Sequence, residues 1–191
     1  DSAVAVAFAL AVVNPSAGNL GGGGFMLYYD ADDEKTFALD YRERAPQNVT
    51  EKMFLNKEGD VIKGLSLNSY LASGVPGTVK GMFKAHNLFG SIPIENLIAP
   101  AIKIAKDGFK LSNFQATNFN KYKKKFLNGS DSESIFIKEG GFKEGDIFIQ
   151  ADLAKSLELI QSRGEKVFYE GKLADKIIED FAQNGGLISS E

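Results

Sequence analysis

The chain has 191 residues, of which 43% are hydrophobic and 25% charged, and its formal net charge is −3. This length and composition fit one domain, or a large part of one, with a real hydrophobic core, and they exclude wholesale disorder. The acidic balance disfavours general nucleic-acid binding. The absence of cysteine excludes disulfides, thiolate metal sites and a cysteine nucleophile, and a single histidine excludes any site that needs two.

The first predicted element is a helix over the apolar run from Ala3 to Val13. This run is too short to cross a membrane as a helix, which takes about 20 residues. Because apolar residues lie on all sides of the helix, the pattern predicts burial on every side. Pro15 disfavours helical geometry at Asn14 and therefore ends the helix.

A glycine-rich loop follows the helix, with five glycines within seven positions. Glycine is expected where the backbone needs a positive φ or where another backbone comes very close. The spacing fits neither G-x-G-x-x-G nor G-x-x-x-x-G-K-[ST], and the loop follows a helix and precedes a strand, the reverse of the nucleotide-binding motifs. We therefore interpret these glycines as a close-packed structural turn: Gly18, Gly21, Gly22, Gly23 and Gly24.

Two strands are predicted next, and together they form a β-hairpin. The apolar run from Phe25 to Tyr29 predicts a buried strand, and Asp30 to Lys35 is a polar turn. The segment from Thr36 to Arg42 alternates, so that Arg42 and Asp40 project from the face opposite three large apolar side chains. This places both charged groups together near the end of the second strand.

The remainder of the chain is mainly helical in its apolar spacing. A tight bend at Gly74 to Gly77 opens the first long helix, and the mostly polar segment Asn128 to Gly140 predicts a loop. A hairpin followed by a series of helices indicates an α+β fold with mixed layers. The predicted helices cover Val79 to Phe89, Ile94 to Ala105, a segment capped by Ser112 and reaching about Phe126, Leu153 to Ile160, and Leu173 to Phe181.

Arg42 is a candidate binding residue, because a guanidinium can hold a carboxylate with two parallel hydrogen bonds. Residue chemistry alone favours a plainer interpretation. Adjacent charges at the end of a strand, here including Glu43 and Arg44, are usually a solvated edge.

Other candidates for chemistry also have plainer interpretations. His86 lies on an apolar helical stripe and is expected to be structural, because no G-x-S-x-G elbow accompanies Ser69 or Ser73. Lysines and aromatics alternate over Lys121 to Phe126, which would suit nucleic acid or anionic lipid, but a solvated helix face is favoured in an acidic chain. The chain has no calcium-loop or zinc pattern, and we expect no metal ion and no cofactor.

Five strings occur along the chain in this order: AVAFALAVVNPSAGNLGGGGFM, ALDYRERAP, LASGVPGTVKGM, QADLAKSLELI and FAQNGGLISSE. Together they resemble the large subunit of bacterial γ-glutamyltranspeptidases. The resemblance covers almost the whole chain, and the first two strings are long and unusual in composition. It implies the four-layer αββα sandwich of the N-terminal nucleophile hydrolases, an α+β fold. Residues 1–191 would then be part of the large subunit, incomplete at both ends.

The resemblance also implies an activity. Enzymes of this family transfer the γ-glutamyl group from glutathione and related compounds to water, or to amino acid or peptide acceptors, through a γ-glutamyl-threonine acyl-enzyme. A precursor cuts itself, and the threonine that then begins the small subunit is the nucleophile. A threonine activated by its own α-amine needs no histidine or cysteine. We expect this threonine beyond Glu191 and therefore assign no catalytic residue here.

The expected partner is the small subunit cut from the same precursor, and by family analogy the expected location is periplasmic or secreted. We expect no nucleic-acid partner and no membrane span in this chain.

One site residue carries over from the family. The arginine of its D-[FY]-R-E string binds the α-carboxylate of the γ-glutamyl group, and here that residue is Arg42 in the string DYRE. The resemblance thus favours Arg42 as a binding residue over its interpretation as part of a solvated strand edge. Two alternatives stay open, namely a related acylase acting on cephalosporins or γ-polyglutamate, and a diverged scaffold without catalytic activity.

Overall fold

The structure is a computed structural model, and it describes residues 1–17, 19–129 and 134–190. Gly18, residues 130–133 of the predicted loop, and Glu191 lie outside the described residues. The elements in chain order are helix α1 (Ser2–Val13), strands β1 (Phe25–Asp30) and β2 (Lys35–Asp40), helices α2 (Leu65–Asn68), α3 (Thr78–Phe89) and α4 (Ile94–Asp107), strand β3 (Phe109–Lys110), helix α5 (Asn113–Gly129), strand β4 (Ile147–Phe148), and helices α6 (Ala151–Arg163), α7 (Lys166–Tyr169) and α8 (Lys172–Gln183).

The main hydrophobic core is built around α4, which packs against both α1 and α6. Its fully buried side chains include Phe8 of α1, Ile98 of α4, and Leu157 and Ile160 of α6. Pro100 lies inside α4 rather than at its start. The helices predicted from apolar spacing are therefore confirmed as the framework of this part of the protein.

The prediction that α1 is buried on every side is wrong. Val4 and Phe8 are buried in the core, but Val6 is 54% exposed and Leu10 is 40% exposed. The helix packs mainly against α4 and also contacts α3. A helix that is apolar on every side can therefore still have a face that its own chain leaves exposed.

The hairpin of β1 and β2 is confirmed, and its strands pair antiparallel along their whole length. Its inner face packs on α3, where the Tyr28 ring stacks on Phe89 with the ring centroids 4.1 Å apart. The prediction that β1 is a buried strand is wrong, because Leu27 is 77% exposed and its neighbours Phe25 and Tyr29 on the same face are also exposed. Successive side chains of a strand point to opposite faces, and α3 covers only one of them.

A second, aromatic cluster lies between α5 and the short sheet of β3 and β4. Phe119 packs edge-on or tilted against Phe136, Phe142 and Phe148. The prediction of Ser112 as a helix cap is confirmed, because its hydroxyl accepts the N–H of Gln115. The two-residue strands β3 and β4 were not predicted, because strands this short show no alternation.

The described residues therefore form a mixed α and β structure, as predicted. No helix among them is long and apolar enough to cross a membrane.

Leu157→Ala tests the packing of α6 on α4. Leu157 has no exposed surface, and truncating a buried leucine costs about 2–5 kcal/mol. We expect a loss of unfolding free energy in this range, measured by urea denaturation of the full-length protein. Leu67→Ala is the matched control, because Leu67 is 80% exposed. A loss below about 1 kcal/mol for Leu157→Ala would contradict the packing described here.

Candidate functional site

The candidate site lies just beyond the end of β2, where Arg42 follows Asp40 and Tyr41. A carboxylate oxygen of Asp40 accepts the backbone N–H of Arg42 at 2.9 Å. Tyr41 donates its N–H to the carbonyl of Gly24 at 3.0 Å, which extends the hairpin pairing by one residue. These bonds fix the backbone that leads into Arg42, while Arg42 itself is exposed.

The segment after Arg42 is tied to the bend that precedes α3. Arg44 donates its N–H to the carbonyl of Val75 at 3.2 Å, and Val75 returns an N–H to the carbonyl of Arg44 at 2.7 Å. The same bend is tied to the glycine loop, because the carbonyl of Gly22 accepts N–H groups from Gly77 and Thr78 at 2.9 and 3.0 Å. Three segments that are distant in the chain therefore meet at this point.

Glycine is needed where these three segments meet. A Cβ placed on Gly23 would lie 2.6 Å from the carbonyl oxygen of Tyr41 and 2.7 Å from the amide nitrogen of Glu43. A Cβ on Gly77 would overlap the same Tyr41 oxygen, and one on Gly81 would lie 2.5 Å from the Tyr41 Cβ. Neither Gly23 nor Gly77 has a positive φ. Close approach of backbones, rather than conformation, therefore requires glycine here, and the interpretation of a close-packed turn is confirmed at Gly23.

Arg42 lines two cavities. The cationic cavity, of about 300 Å³, lies between the end of β2 and the start of α3. The glycine-loop cavity, of about 470 Å³, is lined by residues that include Gly21, Glu43 and Ser73. Among the described residues that line the cationic cavity, four are cationic and one is a carboxylate: Arg42, Arg44, Lys80, Lys84 and Asp40.

Tyr169 closes one side of the cationic cavity. Its hydroxyl donates to the carbonyl of Pro76 and accepts the N–H of Lys80, both at 3.1 Å. Burial raises the pKa of Tyr169 above its ordinary value, and burial also raises the pKa of Tyr41. Both phenols therefore stay neutral at pH 7 and do not offset the positive charge around them.

His86 has a structural hydrogen bond, as predicted. Its Nε2 lies 2.7 Å from the carbonyl oxygen of Ile92, so that nitrogen carries the proton and donates it. The hydroxyl of Ser69 donates to the carbonyl of Leu65.

Lys121 and Lys125 lie over the ring of Tyr122 on α5, and neither lines the cationic or the glycine-loop cavity. No group of three or more potential metal ligands occurs in the part of the chain that the structure describes.

Arg42 was predicted as a site residue from the family resemblance, whereas three other residues that line the same cavity were not predicted: Lys80, Lys84 and Tyr169. Residues four apart on a helix share a face, so the sequence places Lys80 and Lys84 together, but it does not show that they line a cavity with Arg42. No sequence pattern indicates that Tyr169 lies at this cavity, because its hydroxyl contacts Lys80, a residue 89 positions earlier.

The fold matches solved structures over nearly its whole length. A crystal structure of Helicobacter pylori gamma-glutamyltranspeptidase superposes with a TM-score of 0.94 and 46% identity, covering 98% of this chain and 54% of that one. Cephalosporin acylase from Bacillus halodurans superposes with a TM-score of 0.80 at 22% identity, a likeness of fold alone. The protein therefore has the fold of the N-terminal nucleophile hydrolases, of which this chain forms a part, as the family resemblance implied.

The family follows from the sequence comparisons. The family model for gamma-glutamyltranspeptidase matches residues 1–191, and the chain belongs to this family. The glutathione hydrolase proenzyme of Escherichia coli K12 is 46% identical over 193 residues, covering 100% of this chain and 33% of that protein. The glutathione hydrolase proenzyme of Bacillus subtilis 168 is 41% identical over 97% of the chain. The chain thus spans about a third of the length of these relatives.

Gly23→Val tests the close-packed turn. The valine side chain would collide with the backbone of Tyr41 and Glu43, so we expect the full-length protein to lose soluble expression or to melt at a clearly lower temperature. Gly21→Ala is the matched control in the same loop, because its Cβ would meet nothing closer than 3.5 Å, and we expect a change below about 1 kcal/mol. A soluble, active Gly23→Val protein with weakened substrate binding would show that the loop contacts substrate instead.

Proposed function

We propose that this chain is part of the large subunit of an enzyme that transfers γ-glutamyl groups from glutathione and related compounds to water or to amino acid or peptide acceptors. The observation that carries the proposal is the position of Arg42. Arg42 lines two cavities, and a hydrogen bond from its backbone N–H to Asp40 fixes the backbone there. Family membership supports the same activity, and relatives of this family bear the name glutathione hydrolase.

Arg42 has the properties needed to bind the α-carboxylate of a γ-glutamyl group. Within the described residues, its guanidinium forms no salt bridge, so its donors remain available for a ligand. A planar guanidinium forms two parallel hydrogen bonds with a carboxylate, which fixes orientation as well as position. Holding that end of the substrate would place the γ-carbonyl at a defined distance from a nucleophile.

The nucleophile in this proposal is a threonine at the start of a small subunit produced by self-cleavage of one precursor. Its hydroxyl would attack the γ-carbonyl after giving its proton to the threonine α-amine. The C–N bond of the substrate amide then breaks, and the leaving amine takes up a proton. Water or an acceptor amine attacks the resulting ester and regenerates the threonine. The part of this chain would be to position the substrate for both attacks.

The small subunit is also the proposed partner for the outer face of the hairpin. Phe25, Leu27 and Tyr29 are all exposed on that face, and an isolated two-stranded sheet is marginally stable at best. A second sheet packed on this face, about 10 Å away, would bury all three side chains. A heterodimer in the periplasm or outside the cell fits the family resemblance and is proposed on that basis.

An acylase acting on other substrates is the main alternative. The fold is shared with cephalosporin acylase and does not separate the two activities. Arg42 favours γ-glutamyl transfer, because this substrate offers a carboxylate next to the group that is transferred. A scaffold without activity would lack the self-cleaving threonine, so the masses and N-terminal sequences of the mature chains would distinguish it from an enzyme.

Arg42→Ala in the full-length precursor tests the proposed function. We expect the KM for a γ-glutamyl donor to rise at least about tenfold, because losing hydrogen bonds to a charged partner costs about 2–5 kcal/mol and about 1.4 kcal/mol corresponds to tenfold. Self-cleavage, followed by gel mobility, should persist. Arg163→Ala is the control, since Arg163 is exposed and lines neither cavity. An unchanged KM for Arg42→Ala would contradict the assignment.

Leu27→Asp tests the proposed interface. Leu27 is largely exposed in this chain, so the change should not disturb its own fold, but it would bury a charge against the partner. We expect the processed subunits to separate on size-exclusion chromatography, or processing to fail. Leu88→Asp on α3 serves as the control, because Leu88 is also exposed but does not belong to the hairpin. Normal assembly of Leu27→Asp would remove the hairpin face from the interface.

A further inference from the structure

Lys80 and Lys84 line the cationic cavity together with Arg42. They lie four residues apart on α3, so both project from the same side of the helix. Both side chains are exposed, and neither takes part in a salt bridge with any described residue. Free cations on the wall of a cavity are available to a ligand.

The positive charge here is local and contrasts with the chain as a whole, whose net charge is −3. The cationic cavity, of about 300 Å³, is lined by four cationic residues and by one carboxylate residue, Asp40. Like charges held close together repel one another, so an anion that enters this cavity relieves the repulsion. The cavity volume is at the lower end of the range for small-molecule sites.

The start of α3 is held firmly against β2. Gly81 allows the helix to approach Tyr41 closely, and the Tyr169 hydroxyl bonds to the N–H of Lys80 and the carbonyl of Pro76. The two lysines therefore project from a fixed helix beside Arg42 rather than from a loop.

We propose that Lys80 and Lys84 form a second carboxylate subsite, which binds the carboxylate on the leaving group of the γ-glutamyl donor. This inference rests on the proposed γ-glutamyl transfer. Glutathione carries a carboxylate at each end: one on the glutamyl group, assigned to Arg42, and one on the glycine of the leaving dipeptide. Arg42 holds its carboxylate in a fixed orientation, whereas lysines act as point charges that tolerate varied leaving groups. The subsite thus favours donors whose leaving group ends in a carboxylate.

The test compares two donors with the full-length, self-cleaved enzyme. Glutathione has a charged leaving group, whereas a γ-glutamyl anilide has an uncharged one. For Lys80→Ala/Lys84→Ala we expect kcat/KM for glutathione hydrolysis to fall about three- to tenfold, as for two partly solvated ion pairs. The value for the anilide should stay within about twofold. The loss with glutathione should shrink at high salt, where exposed charges are screened.

Two controls separate the possible outcomes. Lys124→Ala removes an exposed lysine of α5 that lines neither cavity, and it should affect neither donor. Arg42→Ala should impair both donors, because both carry the glutamyl carboxylate. If the wild-type enzyme acts on neither donor, the proposed function fails and the subsite fails with it. If it acts on both, and the double lysine variant changes both equally or neither, only the subsite is wrong.

Discussion

The site depends on the close approach of three backbone segments around Tyr41. The glycine loop, the end of β2 and the bend before α3 come nearer to one another than any side chain would allow, and Gly23, Gly77 and Gly81 make this possible. Backbone hydrogen bonds then join the segments in pairs. Arg42 is the next residue along, so its position is determined by this junction and not by contacts of its own side chain.

The same junction explains why positive charge collects at one place in an acidic chain. Because α3 packs against the end of β2, Lys80 and Lys84 line the same cavity as Arg42 and Arg44. The arrangement is unfavourable by itself, because like charges repel, and nearby phenols do not offset it. Tight packing of the backbone therefore maintains an electrostatic arrangement that the side chains alone would avoid.

Much of the fold was predictable from the sequence, because the long helices and the hairpin have clear apolar periods. The predictions of burial were wrong for α1 and β1. The outer faces of α1 and β1 are apolar, and the sequence of one chain does not say whether Val6 or Leu27 is covered by the same chain. The role proposed for Arg42 comes from the family resemblance, since an arginine at a strand end is ordinary by itself. The lysines and Tyr169 required the structure, because their proximity arises from contacts between distant parts of the chain.

The half-covered hairpin has a consequence for how such a protein is assembled. A separate partner would have to find an exposed apolar sheet by diffusion, in competition with other copies of the same chain and with aggregation at the sheet edges. A partner on the same polypeptide meets this face at a high effective concentration. Synthesis as one precursor, with the cut made only after the sheets have packed, would shorten the time for which the face of Leu27 is exposed to other molecules. Self-cleavage in the proposed scheme would then act as a checkpoint that follows correct folding.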